Sequence, residues 1–169
     1  MSENNVEKFN LTFIRHGETD LNLKGVLQGH VDAELNDTGK QQAIGIGRHL
    51  QNESFSHIYS SDLSRAFQTC VHTLQQNKHA VSQVESQNEL NHVEDLITVN
   101  AMLRERKFGC MEGKHWHELY RAERQSDVTE GEDFVPEGAE SVNDVRIRAK
   151  GFFMYEIYAN PFTKKLIQS

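Results

Sequence analysis

The chain has 169 residues, a mass of 19.4 kDa and a net charge of −7 from 18 basic and 25 acidic side chains, a length that fits one domain. This acidic balance excludes broad attraction to nucleic acid or an anionic membrane, and no apolar run approaches the roughly 18 residues of a membrane span. The polar, acidic opening MSENNVEKFN is neither a signal nor a transit peptide, so a cytoplasmic protein with one modest core is expected.

Phe9 to Ile14 is aromatic and β-branched, with Phe9, Leu11 and Phe13 alternating, and predicts a strand. It runs straight into Arg15-His16-Gly17-Glu18-Thr19, followed by polar sequence to about Leu35. Asn36-Asp37-Thr38 offers capping oxygens before a helix over Gln41 to Leu50, with Ala43, Ile46, Gly47 and Leu50 on one face. His57 to Ser60 predicts a second strand. After it Leu63, Ala66, Phe67, Cys70, Val71 and Leu74 form one helical stripe that Ser61 or Asp62 can cap.

Lys78 to Glu94 is polar with weak periodicity and reads as a surface excursion. Leu96 to Val99 suggests a third strand leading to Leu103-Arg104-Glu105, and Trp116 to Arg124 a short helix. Ser141 to about Tyr158 predicts a longer helix with Val142, Val145, Ala149, Phe152 and Phe153 inward, and Phe152 to Tyr155 reads as core packing. Strands alternating with amphipathic helices indicate an α/β fold, a mostly parallel sheet with helices on both faces.

Cys70 and Cys110 lie far apart without a CxxC pattern and read as free thiols. The histidines form neither HExxH nor a Cys/His array, and His115 and His117, spaced i, i+2, should point to different sides of a helix, so no metal is expected.

In an α/β fold reactive groups lie beyond the carboxyl ends of the strands, and three polar clusters occupy such ends: Arg15-His16-Gly17, Ser60-Ser61-Asp62 with Arg65, and Arg104-Glu105. Neutral imidazole is a nucleophile toward phosphorus when its other nitrogen is tied to an acceptor. Arg15 offers a two-pronged donor for phosphate oxygens, and Gly17 permits close backbone approach to an oxyanion. Arg65 lies in a first helical turn, which favours an anion; Asn22, Gln28 and Gly29 offer further donors, and Glu105 a proton. Each also has a plainer reading: His16 a surface histidine in a turn, Arg65 an exposed partner of Asp62, Glu105 part of a solvated Arg-Glu-Arg run.

Taken together, Arg15-His16-Gly17-Glu18-Thr19, Asn22, Gln28-Gly29 and Ser60-Ser61-Asp62-Leu63-x-Arg65-Ala66-x-x-Thr69 resemble the histidine phosphatase superfamily in order and spacing. Leu103 to Gly109, Glu112-Gly113-Lys114 and Pro136 to Ser141 bring the resemblance closest to its fructose-2,6-bisphosphatases. The resemblance covers about Phe9 to Tyr158 and implies a phosphoglycerate mutase-like fold. It implies His16 as the phosphohistidine nucleophile and Glu105 as general acid, with Arg15, Asn22, Gln28, Gly29, Arg65 and Arg104 binding phosphate or substrate. No cofactor or metal is implied, and the partner would be a small phosphorylated sugar in the regulation of glycolysis. A mutase-like phosphotransferase and a non-catalytic binder of phosphorylated ligands or proteins stay open, as does the oligomeric state.

The resemblance also implies a second catalytic histidine, followed by glycine, at the end of a later strand that pairs beside the one bearing His16. The last histidine here is His117, and nothing beyond Ser141 resembles that strand. The expectation is therefore a family domain over 1–158, incomplete at its C-terminus, with a divergent tail over 159–169. The His16 strand would be left as an exposed edge, a hazard for aggregation and activity.

Overall fold

A computed structural model describes residues 10–86, 91–127, 134–158 and 165–168. Its four parallel strands are β1 (Leu11–Ile14), β2 (His57–Ser60), β3 (Ile97–Val99) and β4 (Lys165–Gln168), in the spatial order β1-β4-β2-β3. The helices are α1 (Asp20–Leu23), α2 (Asp37–His49), α3 (Ser64–Leu74), α4 (Lys78–Ser86), α5 (Trp116–Gln125) and α6 (Val142–Phe152). Phe9, expected to open the first strand, lies outside the described residues.

Side chains alternate across a strand, so Ile58 and Tyr59 send β2 into two different cores. Ile58 joins Ile14, Cys70, Val71, Leu74, Ala80 and Val93, against which Ile46 and Leu50 of the α2 region also pack. Tyr59 joins Phe152 and Ile157, with Leu11, Leu103 and Phe153 beside them, and its ring meets Phe152 edge-on at 5.3 Å. Helices thus cover both faces, α2, α3 and α4 on one and α6 on the other, which is the expected α/β layering.

The largest correction concerns the tail. Lys165–Gln168 forms β4, parallel to and between β1 and β2, with Gln168 level with both Ile14 and Ser60. A strand therefore stands in the place expected to be empty, without the second histidine, and β1 is covered on that side. A central parallel strand usually reads as a continuous apolar run. Here only Leu166-Ile167 is apolar, after Lys164-Lys165, so the signal is weak.

Smaller differences have similar causes. Lys78–Ser86 is a helix, not an irregular excursion: Asn77 accepts from the Ala80 N–H at 2.9 Å, and buried Ala80 joins the core with Val81 and Val84 against it. Helix α2 starts at Asp37, four residues before the expected Gln41, because Asn36 caps it by accepting from the Gly39 N–H. In the last helix Phe152 is buried, but Val142, Met154 and Tyr155 are exposed. One π-helical turn over Phe153–Ile157 turns Ile157 inward instead. On β1 Leu11 and Phe13 share a face as expected, Leu11 packing beside Tyr59 and the Phe13 ring lying 6.2 Å from that of Phe153, but Phe13 stays 59% exposed while Ile14, on the other face, is buried.

Candidate active site

The strand registers set Ile14, Ser60, Val99 and Gln168 side by side at one end of the sheet. The loops that leave this end carry the three polar clusters, so they converge as the topology requires.

His16 is half-buried, and its Nδ1 lies 2.7 Å from the Gly17 carbonyl. A carbonyl only accepts, so Nδ1 holds the proton and Nε2 keeps its lone pair. Burial lowers the pKa of His16 below its usual value; the Gly17 bond opposes this, and the charges of Arg65 and Arg15 add to it. The result is a neutral imidazole with a fixed tautomer.

Arg15 is exposed and makes no hydrogen bond or ion pair among the described residues. It shares with His16, Asn22, Gln28 and Glu105 a cleft of about 290 Å³. Beside His16, therefore, stands a guanidinium whose donors are uncommitted. Asn22 and Gln28 face the same cleft with their carbonyl ends occupied. The Thr19 backbone N–H donates to Asn22 Oδ1 at 3.0 Å and its single hydroxyl proton can go to Gln28 Oε1 at 3.0 Å, which leaves both NH2 groups available to an anion.

Arg65 has a different part from the one expected. Only 1% exposed, it donates to the Val31 and Gly29 carbonyls at 2.9 and 2.8 Å and to Glu105 Oε2 at 3.1 Å. Its fork is thus largely committed to the 29–31 loop and to holding Glu105. Gly29 enters through this carbonyl. Nor does Ser61 or Asp62 cap α3 by the usual side-chain bond. Asp32, from the loop before α2, accepts from both the Ser64 N–H and hydroxyl at 2.7 Å, so a carboxylate already sits at that helix start.

Glu105 is 45% exposed on its side chain and faces Arg65. Its flanking arginines point elsewhere. Arg104 donates from Nε to Asp62 at 2.7 Å and from a second nitrogen to the other oxygen, and holds that carboxyl below its usual range. Arg106 donates to the Glu140 and Phe134 carbonyls. The solvated Arg-Glu-Arg run of the plainer reading is absent, but Arg104 is paired where a phosphate contact was expected.

Gly17 is also used otherwise. Its N–H donates to Thr69 Oγ1 at 3.0 Å, and a Cβ there would lie 2.9 Å from Gly39 Cα. The missing side chain admits the start of α2, not an oxyanion.

Several positioning residues had no sequence signal because their partners are remote. Arg148 of α6 donates to the Met102, Arg104 and Glu105 carbonyls at 2.8, 2.7 and 3.0 Å while gripping both Glu140 oxygens. Glu112 accepts from the His30 and Phe108 N–H groups. His115 precedes α5 in extended conformation, so its ring comes within 4.6 Å of His117 instead of pointing away. Among the described residues no group of three or more metal-ligating side chains is assembled, and no helix is long and apolar enough to cross a membrane.

The chain belongs to the histidine phosphatase superfamily (branch 1), which matches residues 11–167. It is 39% identical over 147 residues to fructose-2,6-bisphosphatase TIGAR of Mus musculus, covering 86% of this chain and 50% of that one. The chain spans about half the length of several of the curated relatives it matches. Among solved structures, the mycobacterial glucosyl-3-phosphoglycerate phosphatase superposes with a TM-score of 0.70 at 25% identity, covering 92% of this chain and 72% of that one. A phosphoglycerate mutase from Bacillus anthracis gives 0.73 at 23% identity, with 94% and 73% covered. The fold is thus the expected phosphoglycerate mutase-like one.

Proposed function

We propose that the chain carries the phosphoryl-accepting half of a phosphomonoesterase site, acting on a small phosphorylated sugar of the fructose-2,6-bisphosphate kind. The observation that carries the reading is His16, neutral, with Nδ1 bound to a carbonyl and Nε2 free, in one cleft with the uncommitted Arg15 guanidinium and the Glu105 carboxyl. The likeness to a fructose-2,6-bisphosphatase over most of the chain supports the substrate class.

In the first step Nε2 of His16 attacks phosphorus, the ester P–O bond breaks, and Glu105 gives its proton to the departing alkoxide. Water then attacks the phosphohistidine, returning a proton to Glu105 and releasing inorganic phosphate and neutral His16. Arg15 neutralises charge on the equatorial oxygens and the amides of Asn22 and Gln28 donate hydrogen bonds to them, with Arg65 holding Glu105 in place. The proposal extends to a role in regulating glycolysis in the cytoplasm.

Brief incubation with a phosphorylated substrate should leave an acid-labile, base-stable label on the protein, absent in His16→Ala. A label of equal yield in that variant would rule out His16 as the acceptor.

A further inference from the structure

One wall of the His16 cleft belongs to no part of the phosphoryl chemistry. Trp116, the first residue of α5, lines the cleft together with His16 and Glu105, and is 44% exposed. It also lines an outer hollow of about 620 Å³ whose other walls include Tyr120, Arg121 and Arg124. The indole therefore borders both spaces. The inner space of about 290 Å³ exceeds what a phosphoryl group fills, so part of the group that carries the phosphate can lie in it against the indole on its wall.

The ring is built into place. The Trp116 backbone N–H donates to the Gly25 carbonyl at 2.9 Å, continuing a zipper in which the backbone N–H groups of Leu27 and Gly113 donate to the carbonyls of Lys114 and Leu27. Gly25, at φ +63°, lets the rings close over this loop; a Cβ would lie 2.7 Å from His115 Nε2 and 3.1 Å from Trp116 Cδ1. Tyr120 meets the indole edge-on at 5.4 Å. An exposed aromatic ring fixed in position at a polar cleft offers a flat apolar face at little entropic cost.

We infer that Trp116 is a specificity-determining residue: its indole receives a flat apolar face of the group that carries the phosphate, either the C–H face of a sugar ring or an aromatic ring. The inference deepens the phosphomonoesterase reading and rests on it for the seat of the phosphate.

Trp116 is the sole tryptophan of the chain, so its emission reports binding without turnover. The 169-residue protein is titrated with inorganic phosphate, phenyl phosphate and a hexose 6-phosphate, and the same ligands are measured calorimetrically on Trp116→Ala and Trp116→Phe. Emission should change with one or both organic phosphates and stay level with inorganic phosphate. Trp116→Ala should weaken the responding ligand about tenfold, leave inorganic phosphate unchanged, and be largely restored by Trp116→Phe. Which organic ligand responds tells sugar face from aromatic ring. Equal weakening of all three ligands, or of none, overturns the inference. Unchanged selectivity without any His16 label would sink the hydrolytic reading alone, whereas failure of every phosphate to bind sinks both.

Discussion

At the residue scale two arginines that look equivalent in the sequence divide the work. Arg15 is exposed and uncommitted, while Arg65 is buried and holds two carbonyls and Glu105. Arg15→Ala should keep the thermal midpoint of the free protein but lose most of its protection by inorganic phosphate. At a concentration near 100 times Kd that protection is about 2.7 kcal/mol. Arg65→Ala should instead lower the midpoint without ligand, since each buried acceptor left unpaired costs about 1–3 kcal/mol. Calorimetric melts of both variants, with and without phosphate, check this, and a reversed pattern would exchange the two roles. His16 gives a second test. Burial, with the nearby arginines, disfavours its charged form, so its pKa lies below 6.5. The neutral, reactive form persists at lower pH than in a free histidine and is lost as pH falls through that lowered value. The initial rate of label formation, followed over about pH 5 to 8, should therefore reach half its maximum below 6.5. A midpoint at or above 6.5 contradicts the environment described. The position of His16 at a strand end was legible from its neighbours alone; the division between the arginines was not, because the carbonyls of Gly29 and Val31 are acceptors that every sequence has.

At the scale of elements, α6 anchors the loop bearing Glu105. Arg148 bonds the carbonyls of Met102, Arg104 and Glu105 and is fixed by Glu140. Hydrogen bonding to Arg148 is the main cause that lowers Glu140 from 4.5 to about 2. A depressed carboxylate contributes stability that is complete above its unfolded value and lost as pH falls through its folded value. The protein should therefore lose stability between pH 4.5 and about 2, and Glu140→Gln should flatten that part of the curve. Arg148→Lys should not rescue the loop, since an ammonium lacks the planar fork. With Glu105 displaced by about 1 Å, turnover should fall on the order of 10²-fold while phosphate still binds at Arg15. An unaltered turnover in Arg148→Lys would show that the loop holds itself. Elements whose apolar residues repeat strongly, such as α3, were legible because the stripe from Leu63 to Leu74 is the core face itself. Helix α4 was not, since its short helix contributes one buried residue, Ala80, and depends on a cap from Asn77.

At the scale of the molecule, β4 decides whether the sheet is one body. Among the described strands β1 pairs only with β4, and β4 alone joins it to β2. The His16 strand is thus tied to the rest of the sheet through a segment that the sequence presents as a divergent tail. Its weak signal has a physical origin: four residues suffice because a ladder on each side satisfies the backbone whatever the side chains are. Ending the chain at Tyr158 should therefore free β1 on both sides. Proline at Ile167 should act in the same direction, by removing a donor from a central strand. Amide exchange is the direct measurement. Leu11 to Ile14 should lose their protection in the shortened chain, together with phosphate-induced stabilisation. The loss of stability should be a large part of the roughly 5–15 kcal/mol that holds a domain of this kind together. Substituting Gln168, at the end of the same strand, with Thr should cost little, because the backbone pairing is kept. If the chain ending at Tyr158 melts and protects β1 as the 169-residue protein does, then the segment from Lys165 is dispensable and the sheet holds His16 by some other means.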